Sequence, residues 1–325
     1  MEAAAYSLSE VLKALHSKCM TLHACENRLG DQGSEQVALA LAENCFVRTL
    51  RLHDNDIGDH GAAVLAEALL SNRCLLTLSM TRNRVGPAGA WELGICLRAN
   101  SRLTKLDLGQ NSLEDEGAIN LSLGLAQNHG LLSLDLQANR IGNPGAAALA
   151  GALTKGISLR ELHLRDNRID DDGAESLAGA LALSKLVLLD LSFNMLGGSG
   201  LHQLTEAVEQ SETMTSLSLQ GGRFQGLEVQ RLQSALERNK RTLILMVDVV
   251  RAFETLQVSC RTMSGNTMLE VQIPDVTSLE ELYIMVADAV GTPASLLNLI
   301  DPRGEILADS PDLVSEQFAQ QAEAS

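Results

Sequence analysis

Three aspartates and a histidine recur at nearly constant spacing: Asp107, Asp135, His163 and Asp190. On neighbouring strands such residues stand about 5 Å apart, close enough to share a proton or a metal ion. An open, solvated carboxylate row more commonly meets an Arg or Lys of a partner protein, and that is the reading adopted here. A second periodic row is basic, with Arg28, Arg84, Arg140, Arg168 and Arg223 spaced by multiples of about 28 residues. It suits carboxylates or phosphates, or else local pairing with Asp54, Asp56 or Asp166. Two residues before the repeated position the type changes each time, through His53, Thr81, Gly109, Gln137, Arg165, Ser192 and Gln220. Leu188, Phe193 and Met195 add an apolar anchor inside this charged surface, in the manner of an interface hot spot.

Other signals of chemistry are weak. His16, Cys19, His23 and Cys25 imitate a zinc ligand string, but Cys19 and Cys25 point to opposite sides of a strand. There is no G-x-S-x-G elbow, no H-E-x-x-H, no dinucleotide fingerprint and no G-x-x-x-x-G-K-[ST] loop. No catalytic residue, cofactor or metal is expected. Trp91 sits in a helix column otherwise filled by Glu, Ala, Ile and His, so partial exposure is expected, with packing between helices preferred to binding.

The elements that position these residues follow from one period. Asn27, Asn55, Asn83, Asn111, Asn139, Asn167 and Asn194 recur every 28 residues with a single step of 27, and Gly222 stands where the next Asn is due. Leucine-type residues five and three places before each Asn alternate as a short strand, and apolar residues ten and fourteen places after it have helical spacing. The pattern predicts an α/β solenoid with parallel strands on its concave side and helices on its convex side. Gly33, Gly61, Gly89, Gly117, Gly145, Gly173 and Gly200 let each helix start close to its turn, where Asp31, Asp59, Asp115 or Asp171 can accept its first amides. The Asn column is expected to satisfy buried backbone groups from layer to layer. Residues 1–18 are read as a capping helix and residues 19–250 as eight repeats plus a closing strand at Leu245 and Val247.

The frame L-x-L-x-x-N-x-I-G-D-x-G-A-x-x-L-A-x-A-L resembles the leucine-rich repeats of ribonuclease inhibitor, the NOD-like receptors and the Ran GTPase-activating protein. The resemblance implies a horseshoe that binds proteins on its concave sheet and ascending loops. Its site residues would then be Asp107, Asp135, His163, Arg165, Asp190 and Phe193, with Arg84, Arg140 and Arg168 on the ridge. It also implies two alternatives to a noncatalytic scaffold: a GTPase-activating regulator or an enzyme inhibitor.

After a linker at 251–255 the period stops. Residues 256–325 carry eleven acidic residues and only Arg261 and Arg303. The order hairpin, helix, hairpin over residues 256–318 is similar to ubiquitin, through LQVSCRTMSG, TMLEV and LADSPDLVSEQF, with residues 319–325 as a tail. Met263 and Ile300 match two members of ubiquitin's apolar patch. The resemblance implies a small β-grasp adaptor without a diglycine tail or its last, central strand, and a ubiquitin-receptor-type partner. LILMVDVV could fill that slot, although it lies too near the next strand for a parallel crossover.

The formal net charge of -16 and only six lysines disfavour nonspecific binding to nucleic acid or an anionic membrane. No stretch reaches the ~20 apolar residues of a membrane helix, and the N-terminus lacks a basic signal-peptide region. Six cysteines without a C-x-x-C pair are expected to be reduced thiols, in a cytoplasmic or nuclear protein. The expected partner is a protein, with a small GTPase as one candidate.

Overall fold

The computed structural model describes residues 2–4, 7–222, 224, 226–242, 244–252, 255–262, 267–274 and 298–300, with side chains within 7–239. The chain forms two compact units divided between Ala235 and Leu236, whereas the sequence reading puts the boundary near residue 250.

In the first unit, strand and helix alternate with the period of the frame. The strands are β1 (Glu2–Ala4), β2 (Thr21–His23), β3 (Thr49–Arg51), β4 (Thr77–Ser79), β5 (Lys105–Asp107), β6 (Ser133–Asp135), β7 (Glu161–His163), β8 (Leu188–Asp190) and β9 (Ser216–Ser218). They form one open parallel sheet in sequence order. Between them run α1 (Leu8–Leu15), α2 (Gly30–Glu43), α3 (Asp59–Ser71), α4 (Pro87–Ala99), α5 (Glu114–Leu125), α6 (Asn143–Leu153), α7 (Asp171–Leu181) and α8 (Gly198–Gln210), with α9 (Leu227–Thr242) last. The fold is a leucine-rich-repeat solenoid.

Its core is the pair of apolar columns that the frame demands. Leu50, Leu78, Leu106, Leu134, Leu162 and Leu189 of the strands are fully buried, and so are Leu65, Leu121, Leu149 and Leu177 of the helices. Each three-residue strand is too short to stand alone, so the layers hold one another.

The Asn column works as expected. Asn167 accepts from the amides of Asn139 (3.0 Å) and Ile141 (2.9 Å) of the preceding repeat and donates to the carbonyls of Leu136 and Leu164, both at 3.0 Å. The residue before each Asn lies in the left-handed region whatever its type, from Glu26 (φ 59°) and Arg82 (φ 54°) to Phe193 (φ 57°). That conformation costs about 1 kcal/mol for a non-glycine residue. Backbone bonds to the next repeat offset it, as from Asp54 N to Thr81 O and from Asp166 N to Ser192 O.

The aspartates four places after the Asn differ from expectation. They cap the helix of the following repeat rather than their own. Asp115 Oδ1 accepts from Gly142 (2.7 Å) and Gly145 (3.0 Å), and Asp31, Asp59 and Asp171 do the same one repeat on. The third repeat carries Pro87 at this place, and the helix that follows it, α5, starts differently. Glu114 turns to φ 55°, and Gly117 N bonds Leu113 O instead of a carboxylate. The first repeat has no aspartate before it at this place and shows the same start, with Gly30 at φ 54°.

Two expectations about the ends are corrected. The N-terminal cap is a strand and a helix, since Glu2–Ala4 pairs with β2 ahead of α1. Leu245 and Val247 do not close the repeat sheet. They belong to β10 (Ile244–Ala252) of the second unit and face Thr262 and Cys260 of β11 (Thr255–Thr262). Only residues 253 and 254 separate these strands, which permits an antiparallel hairpin and forbids a parallel crossover. β12 (Thr267–Pro274) pairs antiparallel with β11, and β13 (Asn298–Ile300) pairs parallel with β10. The second sheet therefore has the order β12-β11-β10-β13. Ile300 is the last residue of β13, and Met263 lies outside the described residues.

Candidate protein-binding surface

The sheet register brings the acidic row together. Asp107, Asp135, His163 and Asp190 are successive partners across β5 to β8, half-buried on the face opposite the helices. Each aspartate uses one oxygen to hold the chain after its strand. Asp107 accepts from Gly109 N (3.0 Å), Asp135 from Gln137 N (2.9 Å) and Asp190 from Ser192 N (2.9 Å). The second oxygen of Asp107 accepts from Ser79 Oγ at 3.0 Å. The second oxygens of Asp135 and Asp190 accept no hydrogen bond from the described residues.

Charge is tuned within this row. Glu161 lies 3.9 Å from His163 and raises the imidazole's pKa, against the opposing effect of burial. The same contact holds Glu161 below its ordinary value. Burial raises Asp135, with Asp107 adding to the effect and the Gln137 amide opposing it. Beside the row, Arg165 stacks over the Phe193 ring at 4.3 Å, a cation–π contact on a ring that is 47 % exposed. Met195 is exposed beyond it and Leu188 is half-buried.

The arginine ridge divides. Arg84 pairs with Asp56 at 2.6 Å and Arg140 with Glu114 at 3.5 Å. The side chains of Arg28 and Arg168 are exposed without a hydrogen-bond or ion-pair partner among the described residues, and Arg223 lies outside them. Both sequence readings of the ridge thus have members.

The histidine–cysteine string does not assemble. Cys19 is buried and donates to Ala14 O, while Cys25 meets His53 Nδ1 at 3.2 Å. Burial raises the Cys25 pKa, which keeps the thiol protonated. No group of three metal-ligating side chains occurs among the described residues, and no helix there is long and apolar enough to cross a membrane. Trp91 is 46 % exposed on α4, in keeping with the partial exposure expected from its column.

Sequence reasoning missed a second ladder. Asn44, Asn72, Asn100 and Asn128 are buried where the helices end. Asn72 donates to Leu41 O (2.7 Å) and Asn44 O (2.8 Å) and accepts from Cys74 and Leu75. The 28-residue spacing was the available signal. It also missed the basic end of the concave face, at Arg51 and Lys105.

Comparison with known proteins identifies the repeats. The family described as Leucine Rich repeat matches residues 43–66, 71–94, 99–122, 127–150 and 157–178. A search of curated proteins gave no match. Among solved structures, the chain is similar to actin-binding site 2 of leiomodin-1, at 15 % identity and a TM-score of 0.32, covering 62 % of this chain and 86 % of that one. The Caenorhabditis elegans tropomodulin C-terminal domain matches at 11 % identity and 0.26, covering 71 % and 92 %. A TLR13–ssRNA13 complex matches at 18 % and 0.34, covering 66 % and 34 %. These likenesses are too distant to bear on function.

Proposed function

We propose that this chain is a noncatalytic recognition scaffold that binds a protein partner on the concave face of its repeats. One observation supports this reading above the others. The register aligns Asp107, Asp135, His163 and Asp190 beside an exposed Phe193, so that carboxylates and an apolar anchor share one surface. Desolvated carboxylates favour a partner's Arg or Lys, and an aromatic that is half-exposed before binding can bury substantial area on contact. Arg165 holds that ring in place.

In the same reading, residues 256–318 act as a ubiquitin-like adaptor presenting Met263 and Ile300 to a receptor. β10 would supply the strand missing beside its first hairpin. It would run antiparallel to β11, opposite to the parallel direction of ubiquitin's own central strand. The setting we propose is the cytoplasm or nucleus, which suits the free thiols at Cys19, Cys25, Cys45, Cys74 and Cys96.

The test is affinity capture of partners with the intact chain beside the Asp135→Ala/His163→Ala variant. A retained protein that the variant loses, at an unchanged Tm, supports the scaffold reading. Equal retention removes the acidic row from it. A second reading, regulation of a GTPase, rests on the unpaired Arg28 and Arg168 at the turn edge. It requires that Arg168→Ala abolish any stimulation of GTP hydrolysis by a captured GTPase.

A further inference from the structure

Toward the other end of the concave face, β3 to β5 form an open pocket of about 510 Å³, lined by Asp107 of the acidic row but not by Asp135, His163 or Asp190. Thr49, Thr77 and Lys105 are register partners on these three strands, and Arg51 follows Thr49 on the same face. Lys105 is the register partner of Thr77 and Arg51 that of Ser79, so the two long cationic side chains lie diagonally across β4, with neighbouring strands about 4.8 Å apart. All four line the pocket, and none of their side chains has a hydrogen-bond or ion-pair partner among the described residues.

The remaining charges of the pocket are engaged elsewhere. Arg82 bonds Gln110 at 3.0 Å and Asp54 at 3.4 Å, while Asp107 accepts from Ser79 and Gly109. Two cations and two hydroxyls thus stand without a side-chain hydrogen bond or ion pair in a chain of net charge -16, with Lys105 also in the field of Asp135 and Glu161. They are a receptor for an oxyanion, because guanidinium, ammonium and hydroxyl all donate and an oxyanion accepts from several at once.

The surroundings decide what carries that anion. A nucleic acid or an anionic membrane would extend its charge onto Asp107, Asp135 and Glu161, which would repel it. A single anionic side chain on an extended peptide faces Asp54, already paired with Arg82, and Asp107, but not Asp135 or Glu161. We propose that the Arg51–Lys105 pocket binds one oxyanion, a carboxylate or a phosphoryl group, on a side chain of an extended peptide segment. This deepens the reading of the concave face as a recognition surface, and adds to it a charge direction: acid at β3 to β5, base or apolar group at β6 to β8.

The experiment titrates the intact, isotope-labelled chain with three glycine–serine peptides that differ only in their central residue: phosphoserine, glutamate or glutamine. Saturable shifts of the Thr49, Thr77 and Lys105 amides with phosphoserine or glutamate, absent with glutamine, are expected. The stronger of the two identifies the source of the anion. The response should vanish in Arg51→Gln/Lys105→Gln, whose two exposed sites leave Tm unchanged, and persist in Arg28→Gln. Equal response to the glutamine peptide, no response to any peptide, or persistence in the double variant would overturn the proposal. Asp135→Ala/His163→Ala keeps the peptide response whatever it does to partner capture, so failure of the wider reading shows separately.

Discussion

The turn side of the repeats and their open sheet face share one 28-residue period and use it in opposite ways. On the turn side the residue type recurs and its side chain binds the neighbouring repeat, as Asn55, Asn139 and Asn167 do. On the sheet face the type changes from strand to strand, from Arg51 through Ser79 and Asp107 to His163. Repetition marks the groups that hold layer to layer, and variation marks those left free to meet something else. The difference predicts large stability effects on one side and small ones on the other.

The largest effect should come from Asn167→Leu, which strands the amides of Asn139 and Ile141 and the carbonyls they accompany inside the stack. We expect a loss of about 3 kcal/mol by denaturant unfolding. A loss below about 1 kcal/mol would break the comparison. Next comes Gly124→Ala, whose new Cβ would lie 1.9 Å from the Gly94 carbonyl oxygen, where α4 and α5 nearly touch. Overpacking against backbone should cost about 1–3 kcal/mol. Asp115→Ala removes the acceptor for Gly142 and Gly145 and should cost about 1–2 kcal/mol. If the cap does cross repeats, hydrogen exchange will quicken at the start of α6 rather than α5.

The smallest effect is on the sheet face and depends on pH. His163 has a raised pKa in the fold, so its contribution is complete below its ordinary value of about 6.5 and is lost as pH rises through the folded value. Glu161 has a lowered pKa, so its contribution is present above its ordinary value and is lost as pH falls through the folded one. The pair therefore stabilises most in mildly acidic solution. Asp135 and Asp190 both support the protonated imidazole, and the ionisation of Asp135, whose own pKa burial raises, adds to the loss of stability as pH rises. In His163→Gln, the decline in stability from pH 6 to pH 8 should flatten, as followed by thermal melts. An unaltered profile would mean that the Glu161 contact does not persist in solution.

Much of the repeat architecture is legible from residues alone, because Leu-x-Leu before Asn and helical spacing after it leave one arrangement that buries both. The alignment of Asp107, Asp135, His163 and Asp190 follows from the same count. The aspartate caps were misassigned because Asp115 stands two places before Gly117, and its acceptor role toward Gly142 and Gly145 depends on how layers stack. Asn44 to Asn128 were overlooked because the column breaks to Gly156, Ser184 and Ser211. Leu245 and Val247 keep the period by coincidence. Their long apolar run is better matched to the nine-residue strand Ile244–Ala252 than to a three-residue repeat strand. The Arg51–Lys105 pocket was not legible, since its parts lie on three strands and share no motif.

Recognition on the sheet face is decided by a photo-crosslinking residue at Gln137 on that face and, separately, at Glu175 on the exposed side of α7. A captured partner is expected to crosslink from position 137 and not from 175. Crosslinking from 175 alone would put recognition on the helices and contradict that placement.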